Sequence, residues 1–404
     1  MTKADSSVYI ECYGCNEGRL ECARLQKYLE DNGLKLIDNP GEANLLVFWG
    51  CALTEEKART SHLTAWKLSE LRKPGAKLVI WACLPDIDAS MVPRVRDCVA
   101  IGRGDVAALE SLVESKVKYR DIAVNYLYPR KARRWAEIRS FITEDPVSAL
   151  VREIHNKVCQ LFHADYVKGP EVFQIMTARG CLSNCTFCSE RATCGKLQSE
   201  PKEKIISEFE HGLKAGFHYF ALVATDLGAY GRDLGYTLLD LLNEMERVEG
   251  NYSLVLYNVN PIHLREMWDG LLPMFEKGRV AELEVSAQCA SDSLLRLMGR
   301  QYTAGDFKVM VRELRERFRG LFLATGVMVG FPRESEEDFR RTIGLLDRNL
   351  FDHVDVYRFS KRPTVPASRL KGQVPERVAR RRYRQILLKA SLCEIRSALR
   401  RRRR

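Results

Sequence analysis

The chain has 404 residues, 46% hydrophobic and 29% charged, a balance that fits a globular protein of about two domains and excludes disordered and fibrous classes. Its formal charge of +11 sits at the carboxyl end: Arg377 to Arg404 carries twelve Lys/Arg against one acid, Glu394, so residues 1–376 are net neutral and show no excess from which to read a polyanion-binding face. The amino terminus has no apolar leader core and no run is long enough to span a bilayer, so thirteen cysteines point to a reducing cytoplasm and to free or metal-bound thiols.

Residues 1–105 read as a small parallel α/β domain. Apolar runs at Val8 to Ile10, Leu45 to Trp49 and Leu78 to Ala82 are buried strands, with helical patterns at Arg19 to Asn32, Glu55 to Lys73 and Asp86 to Arg96 between or after them. Each strand delivers a cysteine just past its end: Cys12 and Cys15, then Cys51, then Cys83. Parallel sheets build their sites beyond the carboxyl ends of the strands. Cys15, Cys51 and Cys83 are therefore candidates for a three-thiol metal site, and small buried cysteines near strand ends are the ordinary alternative. Residues 106–168 read as a helical and polar connection whose basic run, 130–134, is a solvated face.

Residues 169–376 repeat strand and helix. Strands are expected at Val172 to Thr177, Tyr219 to Ala224, Ser253 to Tyr257, Glu282 to Ala287, Leu321 to Val329 and His353 to Phe359, separated by helices such as Glu203 to Ala215, Thr237 to Arg247, Thr303 to Phe318 and Glu336 to Asn349. Six such units predict a partial (β/α)6 barrel with its chemistry at the carboxyl ends of the strands. Residues 377–404 read as a basic helix and arginine tail, a candidate nucleic-acid contact for which a solvated terminus is the plainer reading.

Just after the first barrel strand stands Arg179-Gly-Cys-Leu-Ser-Asn-Cys-Thr-Phe-Cys-Ser189. The C-x3-C-x2-C spacing of Cys181, Cys185 and Cys188 supplies three thiolates to a [4Fe-4S] cluster and leaves one iron open to a ligand. Cys22, Cys98, Cys159, Cys289 and Cys393 show no ligand spacing, and Cys194, close behind the motif, reads as an ordinary partly buried thiol or as a group near the substrate.

This motif, with Gly180 before it and the aromatic Phe187 before its last cysteine, resembles the signature of radical S-adenosylmethionine enzymes. The longer pattern is similar to their methylthiotransferase subfamily, which modifies tRNA adenosine or a ribosomal-protein aspartate. Glu11-Cys-Tyr-Gly-Cys15, Trp49-Gly-Cys51 and Trp81-Ala-Cys83 resemble that subfamily's three amino-terminal cluster motifs. Asp226-x3-Tyr230-Gly231, Gln288-x2-Ser291 with Leu297-Met-Gly-Arg300, Thr325-Gly-Val-Met-Val-Gly-Phe-Pro-Arg-Glu334 and Phe359-Ser-Lys-Arg-Pro363 resemble its later barrel segments.

The resemblance implies two [4Fe-4S] clusters, one on Cys181, Cys185 and Cys188 and one on Cys15, Cys51 and Cys83, with S-adenosyl-L-methionine as cofactor. Gly180, Phe187, Ser291, Arg300, Gly326 and Gly330 would line the cofactor, and Asp226 and Tyr230 would face cofactor or substrate. The bland roles are a strand-to-turn boundary for Gly330, a surface arginine, a core tyrosine and a loop-capping aspartate. A flavodoxin- or ferredoxin-like protein would supply electrons.

The chain also departs from the family pattern. Trp49-Gly50 replaces an asparagine-threonine pair, Cys194 and Glu200 stand where arginines are expected, and Gly326 stands where an acid is expected. The family's terminal β-barrel domain, which contacts the substrate, is expected to be missing. These departures favour a small-molecule or peptide substrate, with tRNA and ribosomal protein as alternatives. Another radical reaction with an auxiliary cluster, and a non-enzymatic iron-sulfur RNA-binding or electron-carrier protein, remain as further readings, separated by whether S-adenosylmethionine is cleaved and whether sulfur is added.

Overall fold

The computed structural model describes residues 7–122, 146–162 and 172–402. The basic run 130–134 and the arginines at 403 and 404 lie outside the described residues. Two compact units are present, Met1–Thr143 with Ser189–Lys196 and Lys361–Thr364, and Glu144–Cys188 with Leu197–Ser360 and Val365–Arg404. This division differs from the expected segments 1–105, 106–168, 169–376 and 377–404 in two ways. Ser189–Lys196, just past the cysteine motif, folds with the first unit, and the basic helix folds with the barrel.

The first unit contains β1 (Ser7–Tyr13), α1 (Asn16–Asp31), β2 (Lys35–Leu36), β3 (Leu45–Gly50), α2 (Glu55–Leu71), β4 (Lys77–Ala82), α3 (Cys83–Asp88), β5 (Cys98–Gly102) and α4 (Val106–Glu110). Its five strands are parallel, in the order β2-β1-β3-β4-β5. Every residue of the central strand β3 is buried, which is why its sequence is an unbroken apolar run rather than an alternation. The register sets Tyr13 beside Gly50 and Trp49 beside Trp81, so β1, β3 and β4 end together. The helix expected at Asp86 to Arg96 is the short α3, which begins directly on Cys83 after Ala82 at φ 87°. That left-handed alanine conformation persists only where tertiary packing imposes it.

The second unit begins with α5 (Pro146–Phe162), β6 (Val172–Met176) and β7 (Ala178–Arg179). The short α6 (Arg191–Cys194) belongs to the first unit, and the barrel resumes with β8 (Gln198–Ser199), α7 (Lys202–Lys214), β9 (Tyr219–Val223), α8 (Leu238–Arg247) and β10 (Ser253–Val259). It continues through α9 (Pro261–Glu266), α10 (Trp268–Glu276), β11 (Val280–Val285), α11 (Asp292–Leu297), α12 (Ala304–Arg317), β12 (Phe322–Val329), α13 (Glu336–Leu345), β13 (His353–Arg358) and α14 (Glu376–Arg402). Its six long strands are parallel and pair in sequence order, β6-β9-β10-β11-β12-β13, and do not close between β6 and β13 among the described residues. All six expected strands are present, which makes the chain an α/β protein with a partial (β/α)6 barrel.

Thr237, Thr303 and Ser335 cap α8, α12 and α13, each in a reciprocal pair with the aspartate three residues on. The basic helix α14 packs on α5 and β13. Its end is not a solvated run: Asp352, with no side-chain exposure, accepts from Arg315 Nη2 at 2.6 Å, Arg400 Nη2 at 2.5 Å, Ser397 Oγ at 2.5 Å and the Leu323 N–H at 2.9 Å, with Arg401 at 3.4 Å. Among the described residues no helix is long and apolar enough to cross a membrane.

Candidate metal and cofactor sites

In the barrel unit the cysteine loop is fixed from several sides. Gly180, at φ 75°, turns the chain out of β7. The Thr186 N–H then donates to Met298 O at 3.0 Å, its Oγ1 donates to Leu297 O at 2.8 Å, and its carbonyl accepts from the Ala367 N–H at 2.8 Å. Gly299, at φ 77°, passes so close that a Cβ there would lie 3.0 Å from Asn184 O. Loop and strand ends are thereby locked together at the carboxyl edge of the barrel.

Cys181, Cys185 and Cys188 are half-buried on this loop. The Ser183 N–H donates to Cys181 Sγ at 3.2 Å, and the thiol faces Asp226 Oδ2 at 3.8 Å. Burial raises the Cys181 thiol above its usual range, Asp226 adds to this, and the Ser183 N–H opposes it. Cys185 is raised by burial and pulled back by Arg300. Arg300 lies 5.4 Å above the Phe187 ring and within electrostatic reach of Cys185, Cys188 and Asp226.

Three polar atoms around these thiols are buried without a hydrogen-bond partner, Arg300 Nε, Asp226 Oδ1 and His263 Nε2. Native proteins leave few such atoms, and a bound group is a standard reason for them. Three thiols with an orphaned donor and an orphaned acceptor fit a [4Fe-4S] cluster accompanied by a small ligand bearing both charges. His263 Nε2 stands 3.6 Å from Asp226 Oδ2, its Nδ1 faces Glu266 at 3.1 Å, and Asn260 Nδ2 donates to Ser183 Oγ at 3.3 Å. Neither His263 nor Asn260 carries a sequence signal of its own, since each merely opens α9.

In the first unit the aligned strand ends bring Cys15, Cys51 and Cys83 within electrostatic reach of one another. Burial, then the charges of Glu17 and Cys51, pushes the Cys15 thiol up to about 12, and Cys83 is raised by burial and Cys51 against the pull of Arg103. Lys57 is held protonated chiefly by Cys51. Arg103 binds Glu17 and donates from Nη1 to Cys194 Sγ at 2.7 Å. The Glu190 carboxyl is pushed up to about 7 by burial and by Glu17, against Arg103 and Lys57. Three thiols flanked by two cations fit a second cluster, whose thiolates those cations would offset.

The Trp49 that replaces a polar residue of the family pattern fits because Gly14 and Gly18 leave room for it: a Cβ on either would sit 2.8 or 2.5 Å from its Nε1. Cys12 does not join the trio, its thiol facing Gly18 O at 3.7 Å and lying beside Cys22.

The remaining expected residues have partners of their own. Tyr230 is fully buried and its hydroxyl donates to Glu200 O at 3.0 Å. Ser291 is buried with its hydroxyl on Asp338 and Ser293. Gly326 lies under the Tyr357 ring, where a Cβ would be 3.3 Å from Cε2. Gly330, at φ 78°, leaves no space for a Cβ, which would lie 2.9 Å from the Cβ of Ala379 on α14. Both glycines are closely packed.

Comparison with known proteins adds the following. Residues 175–346 match the radical SAM superfamily and residues 7–101 match a family described as uncharacterized protein family UPF0004. A probable threonylcarbamoyladenosine tRNA methylthiotransferase of Pyrococcus horikoshii is 30% identical over 378 residues, covering 93% of this chain and 82% of the relative. The ribosomal protein uS12 methylthiotransferase RimO of Thermodesulfovibrio yellowstonii is 33% identical over 230 residues, 57% of this chain and 54% of the relative. Among solved structures, the radical S-adenosylmethionine methyltransferase TsrM from Kitasatospora setae aligns with a TM-score of 0.60 at 15% identity, over 91% of this chain and 77% of that one, a likeness of fold.

Proposed function

Because this chain belongs to the radical S-adenosylmethionine methylthiotransferases, whose cofactors are S-adenosyl-L-methionine and [4Fe-4S] clusters, we propose that it replaces a C–H hydrogen of threonylcarbamoyladenosine in tRNA by SCH3. The observation that carries this reading is the similarity to the Pyrococcus horikoshii relative along 93% of the chain. It favours tRNA over the small-molecule or peptide substrate expected from the departures in sequence.

Cys181, Cys185 and Cys188 hold the radical cluster in this reading, and Cys15, Cys51 and Cys83 hold the second, which would carry the sulfur to be inserted. When bound, the first cluster and one S-adenosylmethionine would supply a 5′-deoxyadenosyl radical that takes the C–H hydrogen, while sulfide would supply the sulfur and a second S-adenosylmethionine its methyl group. The chain's own share is binding, orientation and exclusion of water. Arg300 Nε is the donor available to a carboxylate of the cofactor and Asp226 Oδ1 the acceptor available to its ammonium group. His263 Nε2 lies 3.6 Å from the other oxygen of that carboxylate. In the first unit Lys57 and Arg103 offset the charge of the three thiolates. Electrons come from a small flavodoxin- or ferredoxin-like donor.

The test is anaerobic turnover of the reconstituted protein with S-adenosylmethionine, a reductant, sulfide and tRNA carrying threonylcarbamoyladenosine, followed by mass spectrometry of the digested nucleosides. The expected product is heavier by the mass of SCH3 less one hydrogen, about 46 Da. The same assay with ribosomal protein uS12, the substrate named for the second relative, should give no such product. A gain on uS12 with none on tRNA would transfer the assignment to the protein substrate.

A further inference from the structure

A second group of metal-binding atoms lies in the barrel unit, on the faces that join α5, β13 and α14. His155 and Cys159 stand four residues apart on α5, so their side chains project from one face of the helix. Glu394, the single acid of the basic terminal segment, is buried on α14. One ligand atom from each of these three residues lies within 4.8 Å of the others.

The atoms around them orient the donors. Ser391 Oγ donates its one proton to Leu387 O at 3.0 Å and is 3.0 Å from His155 Nδ1. The hydroxyl therefore accepts from Nδ1–H, which leaves Nε2 with its lone pair directed at Cys159 Sγ, 3.6 Å away. Anchoring one imidazole nitrogen so that the other is bare is how proteins prepare a histidine ligand. Glu394 is held in the same manner, its Oε1 accepting from the Val354 N–H at 3.2 Å and facing His353 Nδ1 at 2.8 Å.

We propose that His155 Nε2, Cys159 Sγ and Glu394 bind one zinc ion, a third metal centre that ties α5 to α14. Nitrogen, sulfur and oxygen donors together suit zinc better than calcium or magnesium. Binding displaces the Cys159 proton to solvent, and the Cys159 thiolate with the carboxylates of Glu394 and Asp355, the latter 3.4 Å from His353 Nε2, then offsets the ion and the His353 cation together, as a buried site requires. Cys159 is only half-buried, which gives the ion a way in. The fourth position is left to water. No step of the methylthiolation reading depends on this centre.

The test uses the full chain with both clusters reconstituted anaerobically, so that their cysteines are taken, then equilibrated with micromolar zinc chloride and desalted. Elemental analysis should find about one zinc beside about eight irons per chain. Zinc-edge X-ray absorption should show one sulfur neighbour near about 2.3 Å and nitrogen or oxygen neighbours near about 2.0–2.2 Å. Cys159→Ala and Glu394→Gln should each lower zinc retention by about tenfold or more with iron unchanged. Substoichiometric zinc in the parent, a shell of two or more sulfurs, or undiminished zinc in Cys159→Ala would overturn the proposal. The absorption measurement on the parent chain decides the matter even if a variant fails to fold.

Discussion

The two cysteine trios reach the same composition by opposite routes. The barrel trio lies on one continuous loop, eight residues from first to last, turned by Gly180 and then held by the bonds of Thr186 to Met298, Leu297 and Ala367. The amino-terminal trio is drawn from three strand ends and exists only once β1, β3 and β4 pair in register. The surroundings differ as well. Beside the barrel trio stand polar atoms without partners, as at a site awaiting a small ligand, whereas the amino-terminal trio stands among Lys57, Arg103, Glu17 and Glu190, charges already paired or offset. A local loop tolerates loss of a ligand without unfolding; an assembled site is coupled to the sheet that makes it.

The sharpest contrast comes from removing the barrel thiols. Cys181→Ala, Cys185→Ala and Cys188→Ala together should abolish 5′-deoxyadenosine formation, a fall of at least about a thousandfold, while iron drops from about eight to about four per chain. Loss of all iron in that variant would mean the two trios are not independent. On the cofactor side, Arg300→Ala removes the orphaned donor without touching a thiol. It should raise the S-adenosylmethionine concentration for half-maximal cleavage by about tenfold, near 1.4 kcal/mol, and leave the iron content as it was. An unchanged concentration dependence would remove Arg300 from the cofactor site.

Stability variants extend the comparison to the two units themselves. Asp352→Asn leaves Arg315, Arg400 and Arg401 facing a neutral side chain and should cost the barrel unit about 3 kcal/mol in urea melts. These arginines hold the Asp352 carboxyl well below the usual carboxylate range, despite its burial. Its stabilisation is therefore complete above the unfolded value of about 3.9 and is lost as pH falls towards the folded one. The parent should lose stability on acidification that Asp352→Asn has already lost. A loss of stability no larger than that of Asp352→Asn is expected in the first unit, where Gly18→Ala pushes a methyl against the buried Trp49 ring and should cost about 1–3 kcal/mol. A neutral result there would show that Trp49 has room to move.

Much of this was legible in the sequence for a physical reason. Buried parallel strands are continuous apolar runs, so all six barrel strands and β1, β3 and β4 could be read directly, and the cysteines beyond them marked the edge where sites form. The fifth strand of the first sheet was not legible, because Cys98–Gly102 is short and mostly half-buried. Charged partners were missed for a different reason. Lys57 and Arg103 look like solvated helix and loop residues until the fold brings Cys51 and Glu17 beside them. Arg400 and Arg401 look like a loose basic end until Asp352, some fifty residues earlier, is seen to need them. Cys159 shows no ligand spacing in the sequence, because Glu394 and Ser391 reach the face it shares with His155 only through the packing of α14 on α5.

The central claim is that the barrel trio generates the radical and the amino-terminal trio serves sulfur insertion. One anaerobic turnover measurement, scoring 5′-deoxyadenosine and the methylthiolated nucleoside in the same reaction, tests it in the parent and in the variant with Cys15, Cys51 and Cys83 all changed to alanine. The parent should form both products, and the variant should still cleave S-adenosylmethionine while adding no sulfur to tRNA. Methylthiolated product from the variant, or a parent that never forms 5′-deoxyadenosine, would contradict the account.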